Sequence, residues 1–192
     1  MIDFVIPNNN EDEFIVMADK LGYKGLYFLY DLNDYLNKNK TISTNNKKIK
    51  IYTGILADKK NIYKIKTKFK NKDIFVAVKS SNNDREVIEK AKINMIFSLE
   101  ENFRRGFIHQ RASGLNHILC KSAKENDVTV GFSVKSILDS QNKREIMGRI
   151  TQNINLCRKF KVKTTIASFA QNPFEMRNTK DLTSLFEILG NK

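Results

Sequence analysis

The chain has only two histidines, and both fall in one stretch, "HQRASGLNHILC", with Arg111 between His109 and His117 and the pair Ser113-Gly114 alongside. Three chemistries are open to such a segment: metal binding, a serine nucleophile, or recognition of phosphate. A hydrolytic metal centre needs several His and Asp/Glu side chains converging from different elements. Here the two histidines stand eight residues apart, not at the i, i+4 spacing of a helical metal pair. A Ser113 nucleophile would want the G-x-S-x-G elbow that presents a serine on a strained turn, and the sequence has none. Carboxylates such as Asp3, Asp31 and Glu100 leave a metal-dependent phosphoesterase as a competing reading. Phosphate recognition is better supplied. "NFRRGFIHQR" puts Arg104, Arg105 and Arg111 beside Phe103 and Phe107. Guanidinium forks match phosphate oxygens two at a time, and the rings either stack on bases or pack inward.

Charge supports that direction. The 192 residues carry 34 Lys+Arg against 21 Asp+Glu, a formal charge of +13. Such an excess speaks to partners, and the usual polyanion is nucleic acid. A lysine-rich solvated surface with no target is the plain alternative, and Lys64 and Lys68, opposite an apolar helix face, fit it. At 41% hydrophobic the composition is that of a folded globular protein. Cys120 and Cys157 have no metal-ligand spacing and fall on apolar helix faces, as buried thiols in a reducing cytoplasm would. No signal-like start and no apolar run of membrane-spanning length is present.

Elements that must position these groups alternate along the whole chain, which reads as one barrel domain over residues 1–192. Strands are predicted over 2–6, 25–29, 49–56, 74–78, 95–99, 128–134 and 164–169, mostly as unbroken apolar runs of the kind covered on both faces in parallel sheets. Helical patterns lie between them over 11–21, 31–38, 59–69, 84–92, 115–126 and 144–161, with a last one over 181–189. The 144–161 segment sets Ile146, Met147, Ile150, Ile154 and Cys157 at three- and four-residue spacing. Repeated βα units imply an α/β fold with right-handed crossovers. Pro7-Asn8-Asn9-Asn10 follows the first strand where a dinucleotide fold would carry its glycine-rich loop. The expectation is a small TIM-barrel-like (β/α) barrel of about seven parallel strands, less than the ~250 residues of a full eightfold barrel. The polar loop over 37–48 is the expected mobile segment, and Ser113 the expected N-cap of a helix starting near Leu115.

Barrels of this kind gather function at the carboxyl ends of their strands. Those ends hold amides, hydroxyls and cations: Asn8 to Asn10, Lys79 to Ser81, Arg104 and Arg105, Lys135, and the run from Ala170 to Arg177. Arg104, Arg105, Arg111 and Arg177 are expected to gather at that rim. "CRKFKVK" adds Arg158, Lys159 and Lys161 at a helix C-terminus, where they also complement the helix dipole.

Four elements then appear in order. They are R-x-SGLN-x-x-L from Arg111, V-x-x-GFS from Val128, "NLCRKFKVK" from Asn155, and R-x-x-x-DL-x-SL from Arg177. Together they resemble the p30-type barrel subunit of ribonuclease P in its archaeal form, over about 102–190. The resemblance implies a barrel related to the polymerase-and-histidinol-phosphatase metal hydrolases. It implies membership in a ribonucleoprotein that removes the 5′ leader from precursor tRNA, with RNA as the catalyst and a small RRM-like protein as neighbour. The barrel itself would bind no cofactor, Mg²⁺ belonging to the RNA. Where metal-hydrolase relatives carry H-x-H after the first strand, this chain has Pro7-Asn8-Asn9. Carried over residue by residue, the RNA-binding surface would include Arg104, Arg105, Arg111, His117, Lys163, Arg177 and Asp181. Family members continue beyond "EILG" into a further helix, while this sequence stops at Lys192.

Overall fold

The computed structural model describes residues 1–38, 48–58, 61–69, 74–102 and 112–190. The polar loop over 37–48 thus lies largely outside the described residues, as do Phe103, Arg104, Arg105, Phe107, His109 and Arg111.

Strands β1 (Ile2–Val5), β2 (Gly25–Tyr30), β3 (Lys50–Ala57), β4 (Phe75–Lys79), β5 (Met95–Phe97), β6 (Thr129–Ser133) and β7 (Thr164–Ala167) are parallel and pair in chain order. Helices α1 (Glu11–Lys20), α2 (Leu32–Lys38), α3 (Ile62–Lys68), α4 (Asp84–Lys90), α5 (His117–Glu125), α6 (Val134–Asp139), α7 (Lys143–Phe160) and α8 (Thr179–Ile188) complete the described elements. The result is a nearly closed seven-stranded barrel. β7 returns to β1 through the Phe169 N–H donating to the Phe4 carbonyl at 2.9 Å and the Ile6 N–H donating to the Ala170 carbonyl at 2.8 Å.

Asp3 reinforces that seam. Its carboxylate is fully buried, pointing away from the lumen, and accepts from the Ser168 N–H at 2.8 Å, the Ser168 hydroxyl at 2.7 Å and the Phe4 N–H at 3.0 Å. Burial raises its pKa to about 6 despite those donors.

Alternation along each strand sends one set of side chains inward and the other outward. The lumen is aromatic. Phe4 stacks on Tyr27 with centroids 5.0 Å apart, Tyr27 meets Phe75 at 4.6 Å, and Phe97 lies parallel to Phe169 at 4.0 Å. Phe169 adopts φ 49, a left-handed conformation that costs a non-glycine residue roughly 1–2 kcal/mol. Burial of its ring against Phe97 offsets that cost. The outer set packs under the helices. Ile146, Ile150, Ile154 and Cys157 form the buried stripe of α7, as their spacing predicts, and Cys120 faces Cys157 with both thiols free.

Several boundaries differ from the sequence expectation, β5 ending at Phe97 and β7 at Ala167 among them, and three of the differences have a clear physical reason. The N-cap of α5 is Asn116, whose side chain accepts from the Leu119 N–H at 2.9 Å. Ser113 is instead buried, and its carbonyl accepts from the Asn153 amide at 2.8 Å. Gly114, at φ 85, presses against Leu99 so closely that a Cβ there would overlap the Leu99 carbonyl. The SGLN element is therefore a packing and capping device. Second, α6 follows β6 with Ser133 as its cap, and the six-residue helix was hidden by the apolar run it extends. Third, α8 starts at Thr179, capped by Asn178, two residues before the predicted start.

Candidate nucleic-acid interface

The carboxyl ends of the strands open on a cavity of about 970 Å³, bordered by Leu56, Lys79, Phe97, Glu101, Lys135 and Ser136 among others. Both lysines that border it are held by carboxylates. The Lys79 ammonium donates to Glu101 at 2.7 Å, and Glu101 also accepts from the Ser136 hydroxyl, which lies 3.2 Å from that of Ser98. Burial alone would raise the Glu101 pKa, but hydrogen bonds from Lys79 and Ser136 outweigh it and hold the group below the ordinary glutamate value. Lys135 bridges Glu175 at 2.7 Å and Asp139 at 3.2 Å.

Behind this rim Glu100 is fully buried. It accepts from the Ser133 N–H at 3.3 Å, while its other oxygen has no partner among the described residues. Burial pushes its pKa up to about 7. Asp31 is exposed and accepts from the Asp34 N–H at 2.7 Å, an N-terminal role for α2. Asp3, Asp31 and Glu100 therefore serve a strand seam, a helix start and a buried turn, and do not converge. Among the described residues no three His, Cys, Asp or Glu side chains are grouped to hold a metal. The loop after β1 is committed as well: the Asn10 amide donates to the Gln171 carbonyl at 3.2 Å, and its oxygen accepts from the Asn8 N–H. With phenyl rings in the lumen and amides after β1, the described residues do not fit the metal centre of a phosphatase-like barrel.

The predicted recognition residues are not brought together. His117 is exposed in the first turn of α5, at the carboxyl end of the barrel. Lys163 stands just before β7, at the opposite, amino-terminal pole, and pairs with Asp127 at 2.8 Å. Arg177 does not join the strand-end rim. After β7 the chain runs down the outside, so that the Arg177 carbonyl accepts from the Tyr23 hydroxyl at 2.7 Å and the Thr179 N–H reaches the Leu21 carbonyl at 3.5 Å. Leu21 and Tyr23 belong to the turn that leads into β2, at the amino-terminal pole. The Arg177 guanidinium donates to the carbonyls of Phe174 and Met176. Asp181, exposed in the first turn of α8, follows it there. Arg104, Arg105 and Arg111 lie outside the described residues.

Lys161 and Lys163, already singled out in the sequence, belong to a larger set of cations away from the strand ends. The turns from helices into strands carry Lys24 before β2, Lys50 opening β3, Lys92 before β5, and Lys161 and Lys163 before β7, all exposed. The signal was present as a lysine at each of these junctions.

A model of the family described as RNase P subunit p30 matches residues 1–192. Ribonuclease P protein component 3 of Methanosarcina barkeri is 26% identical over 189 residues, which span 95% of this chain and 75% of that protein. Its counterpart in Methanosarcina acetivorans is 34% identical over 82 residues, 42% of this chain and 34% of that protein. Among solved structures, a chain of archaeal ribonuclease P with mature tRNA superposes with a TM-score of 0.79 at 21% identity, covering 99% of this chain and 83% of that one. The histidinol phosphate phosphatase of Lactococcus lactis, solved with zinc, L-histidinol and phosphate, gives 0.66 at 10% identity, covering 98% and 93%. The fold is thus shared with that phosphatase, and the match over every residue of the sequence makes the chain a member of the ribonuclease P p30 subunit family.

Proposed function

We propose that the chain acts in ribonuclease P by binding and stabilising the catalytic RNA for removal of the 5′ leader from precursor tRNA, and performs no bond cleavage itself. One observation carries this. A chain matched along its whole length to a ribonuclease P subunit family has the described lysines of its barrel mouth, Lys79 and Lys135, held by carboxylates, while it retains a formal charge of +13. Cations in excess and a mouth without a grouped catalytic set suit a scaffold for phosphates. Arg104, Arg105, Arg111, His117, Lys163 and Arg177 are assigned to RNA contact, with Asp181 placed beside Arg177. Precursor tRNA is reached through the complex, a small RRM-like subunit is the protein neighbour, and Mg²⁺ belongs to the RNA. Purification of the tagged chain from its host, with sequencing of bound RNA and identification of bound proteins, tests the proposal. Enrichment of ribonuclease P RNA is expected; recovery of proteins without that RNA would overturn it in favour of a pure protein-interaction subunit.

A further inference from the structure

We infer that the amino-terminal pole of the barrel is a seat for RNA phosphates, an inference that rests on the reading of the chain as an RNA-bound subunit. In the βα units of a barrel the helix C-terminus comes to this pole, as those of α1, α4, α5 and α7 do here, and helix dipoles favour cations there. That accounts for Lys20 and for the basic last turn of α7. It does not account for Lys24 and Lys50, which stand beyond any helix at the feet of β2 and β3. The Lys50 N–H donates to the Lys24 carbonyl at 3.1 Å, which fixes these two exposed residues side by side. Among the described residues neither makes an ion pair, and the same holds for Lys92 and Lys161.

Backbone conformation supplies an independent observation. Lys92 at φ 52 and Lys161 at φ 56 occupy the left-handed position that follows a helix C-terminus. Glycine takes that conformation without penalty and is the usual occupant. This chain uses glycine in the equivalent turn after α1, where Gly22 has φ 78. Asp127, at φ 54 in the corresponding turn after α5, is paired with Lys163, so among the described residues the lysines at two of these three left-handed turns are the ones left with an open charge. Charge is the feature that the two positions share with Lys24 and Lys50.

Spacing makes the set act together. Neighbouring strands stand ~4.8 Å apart, so cations on strand feet two apart are separated by roughly 10 Å. That is about one Debye length at 0.1 M salt, and their fields merge into one patch. Among the described residues the mouth offers no such field, since Lys79 and Lys135 are each paired with carboxylates.

The test uses the full chain and a transcript of its host's ribonuclease P RNA. The double substitution Lys92→Gly and Lys161→Gly removes two charges while relaxing two left-handed residues. The expected result is an unchanged or higher Tm together with weaker RNA binding. The slope of log K against log[salt] should flatten by about 1.4 to 1.8, two contacts at roughly 0.7 to 0.9 each. Lys24→Gln and Lys50→Gln should flatten it further, and Lys79→Gln with Lys135→Gln should leave it unchanged. An unaltered slope in the pole variants, or an equal loss in the mouth variant, would overturn the inference while leaving the RNA-subunit reading in place. A fall in Tm would overturn it by showing that the two lysines serve stability. Loss of binding to phosphatidylserine vesicles with RNA binding intact would overturn it in favour of a lipid surface. Absence of RNA binding by the unmodified chain would instead remove the functional reading beneath it.

Discussion

The two poles of this barrel carry charge in opposite ways. At the carboxyl-terminal mouth, Lys79 is held by Glu101 and Lys135 by Glu175 and Asp139 over distances of 2.7 to 3.2 Å, three carboxylates to two ammonium groups, and buried Glu100 lies behind them. At the amino-terminal pole, Lys24, Lys50, Lys92 and Lys161 project from strand feet and turns with no ion pair among the described residues. A shared fold with a phosphatase solved with zinc draws attention to the mouth, where Lys79 and Lys135 are each held by carboxylates. Exposed charges that do not pair cost little to keep, and they remain available to an external polyanion.

The largest expected effect breaks the mouth. Gly114→Ala puts a methyl group onto the Leu99 carbonyl at a position with φ 85. Neither the loop nor the turn after β5 can yield without disturbing the Asn153 contact, so a loss above ~3 kcal/mol is expected in urea unfolding. Should the variant be as stable as the parent, SGLN would not be the packing device described here.

The next sharpens the contrast through pH. Glu100 has its folded pKa raised from 4.5 to about 7, so the folded state holds a proton that the unfolded state has lost. Stability contributed by this group is present below about pH 4.5 and is lost as pH rises toward 7, by on the order of 3 kcal/mol. Asp3, raised from 3.8 to about 6, acts in the same direction over a lower window. Denaturant midpoints compared between the parent and Glu100→Gln at pH 5 and pH 8 check this, since the overall charge contribution nearly cancels. The glutamine variant should lose less stability over that interval; parallel curves would contradict the burial argument.

A smaller effect concerns α5. Asn116→Ala removes the side-chain acceptor for the Leu119 N–H and should cost ~1 kcal/mol, whereas Asn116→Asp should cost little. Thermal unfolding of both variants distinguishes the cap from a general role of that loop. The smallest effect lies at the other pole. Lys163 and Asp127 pair while 64% and 75% exposed, so Asp127→Asn should barely change Tm. By freeing Lys163 it should strengthen RNA binding, read by anisotropy at low salt, and weaker binding would contradict the assignment of that lysine.

Much of the fold was legible because parallel strands buried on both faces leave unbroken apolar runs, as in 128–134 and 164–169. The same feature concealed α6: Val134 continues the β6 run, and only Ser133 marks the change from strand to helix. Ser113 was read as a cap because serine precedes a helical pattern, but tertiary packing took its carbonyl for Asn153 and left the capping to Asn116. The placement of Arg177 was illegible for a different reason. Local pattern carries the last strand over 164–169, against an observed end at Ala167, and whether the chain then stays at the rim or descends depends on contacts to Leu21 and Tyr23, over 150 residues away in sequence. The lysines of the amino-terminal pole were visible as letters. Without knowledge of which turns share a pole, they could not be distinguished from a solvated surface.

The claim that this barrel supplies a surface and not chemistry is tested most directly by assaying the pure chain with Mn²⁺, Mg²⁺ or Zn²⁺ on p-nitrophenyl phosphate and on precursor tRNA. No turnover above background is predicted for the parent or for Glu101→Gln. Turnover that follows the protein through purification and vanishes in Glu101→Gln would contradict the account and return the mouth to catalysis.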